Sequence, residues 1–334
     1  MNVISFFSSK GGVGKTTLLC NLASYLVKFS GKRILVVDGD PQGNATMYLL
    51  DERSVNEFYY NESQSLSWYL GKVVGGGEFD GKKPKIFRSE NFELDIMPSH
   101  PSLEIMGDAI LNKSKLSGSP LKGSSRISFS IKKMLSELSG SYDFVFVDMG
   151  PSIGLLNKSL VLASDFFLAP ISVDTFGAVA IKNILFLLDA WESEFLSQEY
   201  DASGIEGFLG AEERDKFKLK FAGYVMPKYH VKYSKSGRYS ADYDGFFKQL
   251  YPYLDSLEEK FGFGDLESAG LGFISNLTSL ISLSQVIHKP VFDLGAGDGV
   301  TGAQFAAVDD AKAMYSSIAK HFLHRITLAS REGF

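Results

Sequence analysis

The sequence predicts an α/β protein: a doubly wound, mostly parallel sheet with helices on both faces and inserted loops. Three observations carry that expectation. Short apolar runs recur along the 334-residue chain. Several are separated by stretches with the apolar periodicity of helices. The runs are close to continuously apolar, as suits parallel strands buried on both faces.

The first run, residues 3–7 (VISFF), gives way to small polar residues and glycines, as a buried strand does before a loop. Residues 15–32 then place Leu18, Leu19, Leu22, Ala23, Leu26 and Val27 on one helical face, with Gly31 where a C-terminal cap belongs. Residues 33–38 (RILVVD) are the next strand, closing on Asp38. Further strands are expected at 92–97, 142–148, 165–171, 220–226 and 271–275, and the clearest later helices at 178–195 and 302–326. Three regions break this rhythm. Residues 51–91 are polar and glycine-containing, and 111–126 (LNKSKLSGSPLKGSSR) read as a flexible loop. Within 196–270, residues 196–218 and 229–270 are charged and aromatic, with patchy helical periodicity at 243–261. All three are read as insertions decorating one domain over residues 1–334.

Composition narrows the function classes. A hydrophobic content of 45% supplies ample core, and the net charge of −5 makes no global demand for nucleic acid or an anionic membrane. The one cysteine, Cys20, excludes an intramolecular disulfide and a cysteine-bridged cluster, and reads as a small buried helix residue. No run of 18 apolar residues occurs, and the N-terminus lacks a charged segment ahead of an apolar one, so a cytoplasmic protein is expected.

The chemistry concentrates in residues 6–17 (FFSSKGGVGKTT). Between a strand and a helix, backbone N–H groups and the helix dipole hold phosphates. Gly11, Gly12, Val13 and Gly14 form the cradle, and Gly12 and Gly14 let the backbone approach closely. Lys15 would pair with β- and γ-phosphates, the Thr16 hydroxyl would ligate Mg²⁺, and Thr17 would reach the α-phosphate. The pattern GxxxxGK[ST] needs glycine at position 9, where Ser9 stands; what is present is [KR]GGxGK[ST], with a second lysine at Lys10. A magnesium nucleotide also needs carboxylates at the ends of neighbouring strands. Asp38 and Asp40 in "VVDGDPQGNAT", and Asp148 in "VFVDMGPS", supply them.

Carrying this deviant phosphate loop and these acidic segments, the chain resembles the ParA/MinD family of P-loop ATPases, and "DGDPQGNAT" is similar to its ParA branch. The likeness extends over 94–104, 150–181 and 279–294, roughly 200 residues in all. It implies ATP and Mg²⁺ as cofactors and slow, partner-stimulated ATP hydrolysis. It implies that Lys10 reaches the nucleotide of a second subunit in an ATP-dependent homodimer, acting much as an arginine finger does. By the same resemblance, Asp40 positions the attacking water, Asp38 and Asp148 support Mg²⁺, residues 41–46 and 150–154 act as switch loops, and Met226 and Pro227 face the base. One departure stands out: the family usually has two prolines after the aspartate matching Asp148, whereas here Gly150 precedes Pro151. That glycine is expected to loosen the switch.

The ParA branch implies non-specific binding to DNA, in plasmid or chromosome partition or cargo positioning, and a ParB-like or other stimulating protein. The basic candidates are Lys216, Lys218, Lys220, Lys228, Lys232, Lys235 and Arg238, interleaved with Tyr229, Tyr233 and Tyr239, and a second set of Lys113, Lys115, Lys122 and Arg126. No helix-turn-helix segment precedes the phosphate loop, so operator binding by an N-terminal domain is not expected. The terminal helix, with Ile318, Phe322 and Ile326 on one side and Lys320, His321, His324 and Arg325 opposite or flanking, is read as docked on the domain rather than on a membrane. The alternative function is a regulatory or assembly ATPase of a defence, secretion or polysaccharide system that docks its partner through the insertions. A metabolic enzyme of the dethiobiotin synthetase kind shares the loop chemistry but not "DGDPQGNAT".

Overall fold

Apolar runs too short for helices and flanked by turn residues become strands wherever both faces can be covered. The computed structural model describes residues 1–60, 64–75, 83–116, 120–197, 219–228, 241–275 and 277–331. Among these residues the strands are β1 (Asn2–Phe6), β2 (Ile34–Asp38), β3 (Phe87–Ser89), β4 (Leu94–Met97), β5 (Phe144–Asp148), β6 (Phe166–Pro170), β7 (Lys220–Pro227) and β8 (Gly270–Ile274). They form one sheet in the order β3-β4-β2-β5-β1-β6-β7-β8. Every pairing is parallel except that of the short edge strand β3 with β4.

Successive side chains alternate between two cores. On one side Ile4, Phe6, Val36 and Phe146 pack beneath α1 (Lys15–Ser30), α2 (Asn44–Leu49), α11 (Thr278–Val286) and α12 (Gln304–Arg331). On the other, Val3, Phe7, Leu35, Val37 and Val145 meet α4 (Leu66–Gly75), α6 (Pro120–Ser136), α7 (Leu155–Leu162), α8 (Thr175–Ser197) and α9 (Ala241–Phe261). The chain leaves central β1 in one direction toward β2 and later returns across it from β5 to β6. The carboxyl ends of β1, β2 and β5 thus border a topological switch point, where open α/β sheets bind ligands.

All seven expected strands are present, and β3 is an addition. The expected loop at 111–126 is corrected. Helix α5 (Leu103–Leu116) runs into it, and α6 begins at Pro120, a first-turn position that suits proline because its missing N–H has no helical partner there. Helices α4, α5, α6 and α7 pack on one another, and such packing stabilises helices that propensity alone would not. The polar stretch 51–91 likewise holds α3 (Glu52–Tyr59), α4 and β3.

The terminal helix α12 is docked as expected, burying Val308, Ala311, Tyr315, Ile318, Ala319, Phe322, Ile326 and Ala329. Arg325, read from sequence as part of its polar flank, is instead fully buried. His321 and His324 are exposed. Among the described residues no helix is long and apolar enough to cross a membrane.

Candidate active site

The loop after β1 reaches α1 through two glycines in the left-handed region, Gly12 at φ +73° and Gly14 at φ +77°. A Cβ on either would meet nothing within 4 Å, so their conformation requires glycine while the space beside them stays open. Gly14 occupies the N-cap position with no side-chain cap, which leaves the first N–H groups of α1 aimed at that space. Val13 is half-buried, and Gly11 is exposed at the rim.

Lys15 turns inward. Its Nζ donates to Asp148 Oδ1 at 3.0 Å and to the Met149 carbonyl. The Thr16 hydroxyl donates to Asp148 Oδ2 at 2.6 Å. Asp148 ends β5, in register with Asp38 at the end of β2, and both carboxylates are fully buried. Asp38 accepts from the Thr46 N–H and hydroxyl, each at 2.7 Å, and from the Asp40 N–H at 3.1 Å. Burial, and then the charge of Asp148, push the Asp38 carboxyl up to about 7, against the opposing pull of those hydrogen bonds. The Cys20 thiol beneath is raised as well, by burial first and then by Asp148 and Asp38. It is an inert core residue, as its sequence context suggests.

Two carboxylates and a hydroxyl converging beside an open cradle of N–H groups fit a magnesium-bound polyphosphate. Among the described residues no three His, Cys, Asp or Glu side chains could hold a metal by themselves. Mg²⁺ keeps waters and takes phosphate oxygens as ligands, so two carboxylates and a hydroxyl suit it. Thr16, Asp38 and Asp148 would hold it; a bound Mg²⁺ supplies positive charge against the phosphates.

Asp40 lies in the turn after β2, almost fully buried. Its Oδ1 accepts from the Gln42 N–H at 3.0 Å and its Oδ2 from Asn44 Nδ2 at 3.1 Å. The Ser99 hydroxyl donates to the Asp40 carbonyl and the Ser99 N–H to the Thr46 hydroxyl, so the segment after β4 fixes the whole 38–46 turn. Gly150 faces Asp40: a Cβ there would stand 3.1 Å from Asp40 Oδ1.

Lys10 takes the opposite course from Lys15. Its Nζ leaves the cradle and pairs with Asp174 Oδ2 at 2.5 Å and Ser172 Oγ at 3.1 Å, 5.6 Å from the centre of the Phe176 ring. Partial burial raises the Asp174 carboxyl, but the bonds from Lys10, the Gly177 N–H and Ser172, with the charge of Lys10, win and leave it below its ordinary value. The Ser9 hydroxyl also reaches this helix, at the Ala180 carbonyl. Sequence reasoning did not single out Asp174, which lies 164 residues from Lys10 within the 150–181 stretch of likeness.

Of the two residues expected to face a base, Met226 is buried in the core cluster that also holds residues of α8 and α9. Pro227, at the end of β7, is exposed. Thr17 has its carbonyl bonded by Asn21. The basic candidates Lys216, Lys218, Lys232, Lys235, Arg238 and their tyrosines lie outside the described residues, as do the side chains of Lys113, Lys115, Lys122 and Arg126. Lys220 and Lys228 bracket the eight-residue β7. At about 3.3 Å per residue they stand roughly 26 Å apart and do not belong to one compact patch.

Comparison with known proteins bears on the same region. Residues 1–198 match the AAA_31 family, described as an AAA domain. A protein of Methanocaldococcus jannaschii, described as uncharacterized, is 28% identical over 252 residues, covering 75% of this chain and 81% of its own. A virulence plasmid ParA family protein of Chlamydia psittaci is 30% identical over 191 residues, covering 55% of this chain and 62% of its own, so the match leaves over a third of that relative unspanned. A putative plasmid partition protein of Borrelia burgdorferi, solved bound to AMPPNP, shares the fold at a TM-score of 0.58 and 19% identity over 97% of this chain and 99% of its own. With the phosphate cradle, the paired strand-end aspartates and a match to the AAA_31 family model over more than half of its length, this chain belongs to the ParA/MinD family of P-loop ATPases.

Proposed function

We propose that this protein is an ATP-switched positioning ATPase of the ParA type. It binds MgATP in the cradle of residues 11–17, dimerises in that state, and hydrolyses ATP slowly until a partner protein accelerates the step. The single observation that carries the reading is the divergence of the two lysines. Lys15 faces the site and Asp148, while Lys10 lies outside the cradle on a surface where Phe176 and Val179 are 70% and 47% exposed. A cation so placed, once released from Asp174, could serve the nucleotide of a second copy, and the apolar residues beside it suit burial by that copy.

In this reading each residue's task follows from where it sits. Lys15 would pair with phosphate oxygens in place of the Asp148 and Met149 oxygens it holds here. Thr16, Asp38 and Asp148 would hold Mg²⁺, which would supply positive charge against the phosphates. Asp40, anchored by Gln42 and Asn44, orients the water that attacks the γ-phosphate. Lys10, released from Asp174, stabilises charge spread over the partner's phosphates. Pro227 borders the base. Residues 41–46 and 150–154, which touch both carboxylate strands, respond to the γ-phosphate. Plasmid proteins among the relatives favour partition or cargo positioning on non-specific DNA over the alternative of an assembly ATPase.

Light scattering without nucleotide, with ADP and with a non-hydrolysable ATP analogue, on wild type and Lys10→Ala, tests the reading. A dimer with the analogue alone, lost in Lys10→Ala, is expected, together with retention on non-specific duplex DNA. A monomer in every state would refute the role of Lys10, and a dimer indifferent to DNA would favour the assembly ATPase.

A further inference from the structure

The segment between Asp148 and α7 touches the site at three points. The Met149 carbonyl accepts from Lys15. Gly150 lies against the Asp40 carboxylate. Pro151 packs against the phosphate loop, its ring carbons 3.8 Å from where a Cβ of Gly11 would be. Whatever fixes residues 150–152 therefore fixes the distance between the water-positioning turn and the phosphate cradle.

The backbone of this segment does little to fix itself. Gly150 has no side chain, and a glycine has more conformational freedom than any other residue. The anchor comes from α7. Asn157 is 1% exposed, and its Nδ2 donates to the Gly150 carbonyl at 2.8 Å, to the Ser152 carbonyl at 2.7 Å and to Ser152 Oγ at 3.2 Å. One buried amide group thus gathers two carbonyls two residues apart and holds them in a fixed turn. Neither a hydroxyl, with one hydrogen, nor a carboxylate, with none, could satisfy both. The looseness expected of Gly150 is countered from outside the segment.

We propose that Asn157 is a positioning residue for hydrolysis, clamping Gly150 against Asp40 and Pro151 against Gly11; this rests on the ATPase reading above only for its catalytic consequence. Asn157→Ala removes the clamp, and Asn157→Asp sets a carboxylate against two carbonyl oxygens. Both variants are expected to lose roughly 10- to 100-fold in kcat, the scale on which small misplacements act. The Kd for ADP, held by the cradle, should change less than about two-fold.

The deciding test is a double-mutant cycle with Asp40→Ala, together with hydrogen exchange of residues 40–44 and 149–154. If Asn157 acts through Asp40, the kcat effect of Asn157→Ala disappears in the Asp40→Ala background. Exchange should rise in both segments of Asn157→Ala. A fall in thermal stability with kcat unchanged, or equal kcat losses in both backgrounds, overturns the proposal. If the wild type hydrolyses no ATP, the ATPase reading fails separately. Exchange then decides the clamp: faster exchange at 40–44 as well as 149–154 upholds it, and exchange unchanged at 40–44 rejects it.

Discussion

Two buried cation–carboxylate pairs, one at the carboxyl end of β5 and one beside β7, differ in what they are built to do. Lys15–Asp148, at 3.0 Å, lies beside the open cradle of Gly12 and Gly14. Arg325–Glu258, at 2.5 Å, is closed on every side. Both Glu258 oxygens, Ser268 Oγ and the Phe221 carbonyl accept from Arg325, and the Phe263 ring lies 4.1 Å from the guanidinium carbon. Within this cluster of described residues Arg325 Nε lacks a hydrogen-bond partner. On the proposed reading the first pair is an exchangeable contact, and the second ties α12 to α9 and β7. What separates them is access for a competing ligand, not depth of burial.

The largest expected effect breaks that tie. Arg325→Ala leaves Glu258 buried without its cation, and such a loss typically costs about 3–5 kcal/mol. The urea midpoint of the variant should fall accordingly, whereas Arg325→Met together with Glu258→Leu should recover most of the loss. Lys15→Ala is the matched control. Thr16 still donates to Asp148, and the cradle admits water, so its stability loss should be clearly smaller while MgATP no longer raises its Tm. Equal losses in the two variants would erase the distinction between the pairs.

The second effect sharpens the same contrast through pH. With Mg²⁺ absent, the Asp38 carboxyl is held up near 7 by burial and by Asp148, against an ordinary value of 3.8. A carboxyl raised on folding binds its proton more tightly in the native state, so stability falls as pH rises from about 4 through about 7. Thermal unfolding between pH 5 and 8 should show a decline of up to a few kcal/mol in wild type, at about 1.4 kcal/mol for each tenfold tightening of the proton. The slope should flatten in Asp38→Asn and reverse once MgATP is present. It should persist when Arg325→Met and Glu258→Leu are combined, because that pair of changes leaves the open site intact.

The same contrast explains what was legible in the sequence. The cradle and its aspartates each follow a strand end within a few residues, so local pattern marks Lys15, Thr16, Asp38 and Asp148, and the parallel register of the sheet brings them into one place. Seven strands were legible because each is an apolar run, buried along its whole length in β2, β5 and β6. Strand β3 was not: Phe87-Arg88-Ser89 is three residues on an antiparallel edge, with one face to solvent. Helices α5 and α6 were hidden by serine, glycine and lysine at positions whose order comes from neighbouring helices. Asn157, Asp174 and Arg325 escaped because each matters through partners distant in sequence or, for Asn157, through backbone carbonyls that no side-chain pattern reports.

The smallest expected effect concerns a third pair, Lys10–Asp174, whose side chains are 31% and 44% exposed. An exposed pair contributes about 0–1 kcal/mol and is screened by salt. Asp174 also accepts from the Gly177 N–H in the first turn of α8, so Asp174→Ala would confound loss of charge with loss of that bond. Asp174→Asn keeps an acceptor for Gly177 and removes the charge facing Lys10. Its urea midpoint should stay close to wild type. If Lys10 must leave Asp174 to serve a second copy, the ATP-analogue concentration needed for half-maximal dimerisation should fall by up to about five-fold, the equivalent of 1 kcal/mol. The gain should shrink as salt is raised. An unchanged dimerisation midpoint at low salt would mean that Asp174 does not restrain Lys10, and that the contact is a resting place rather than a latch.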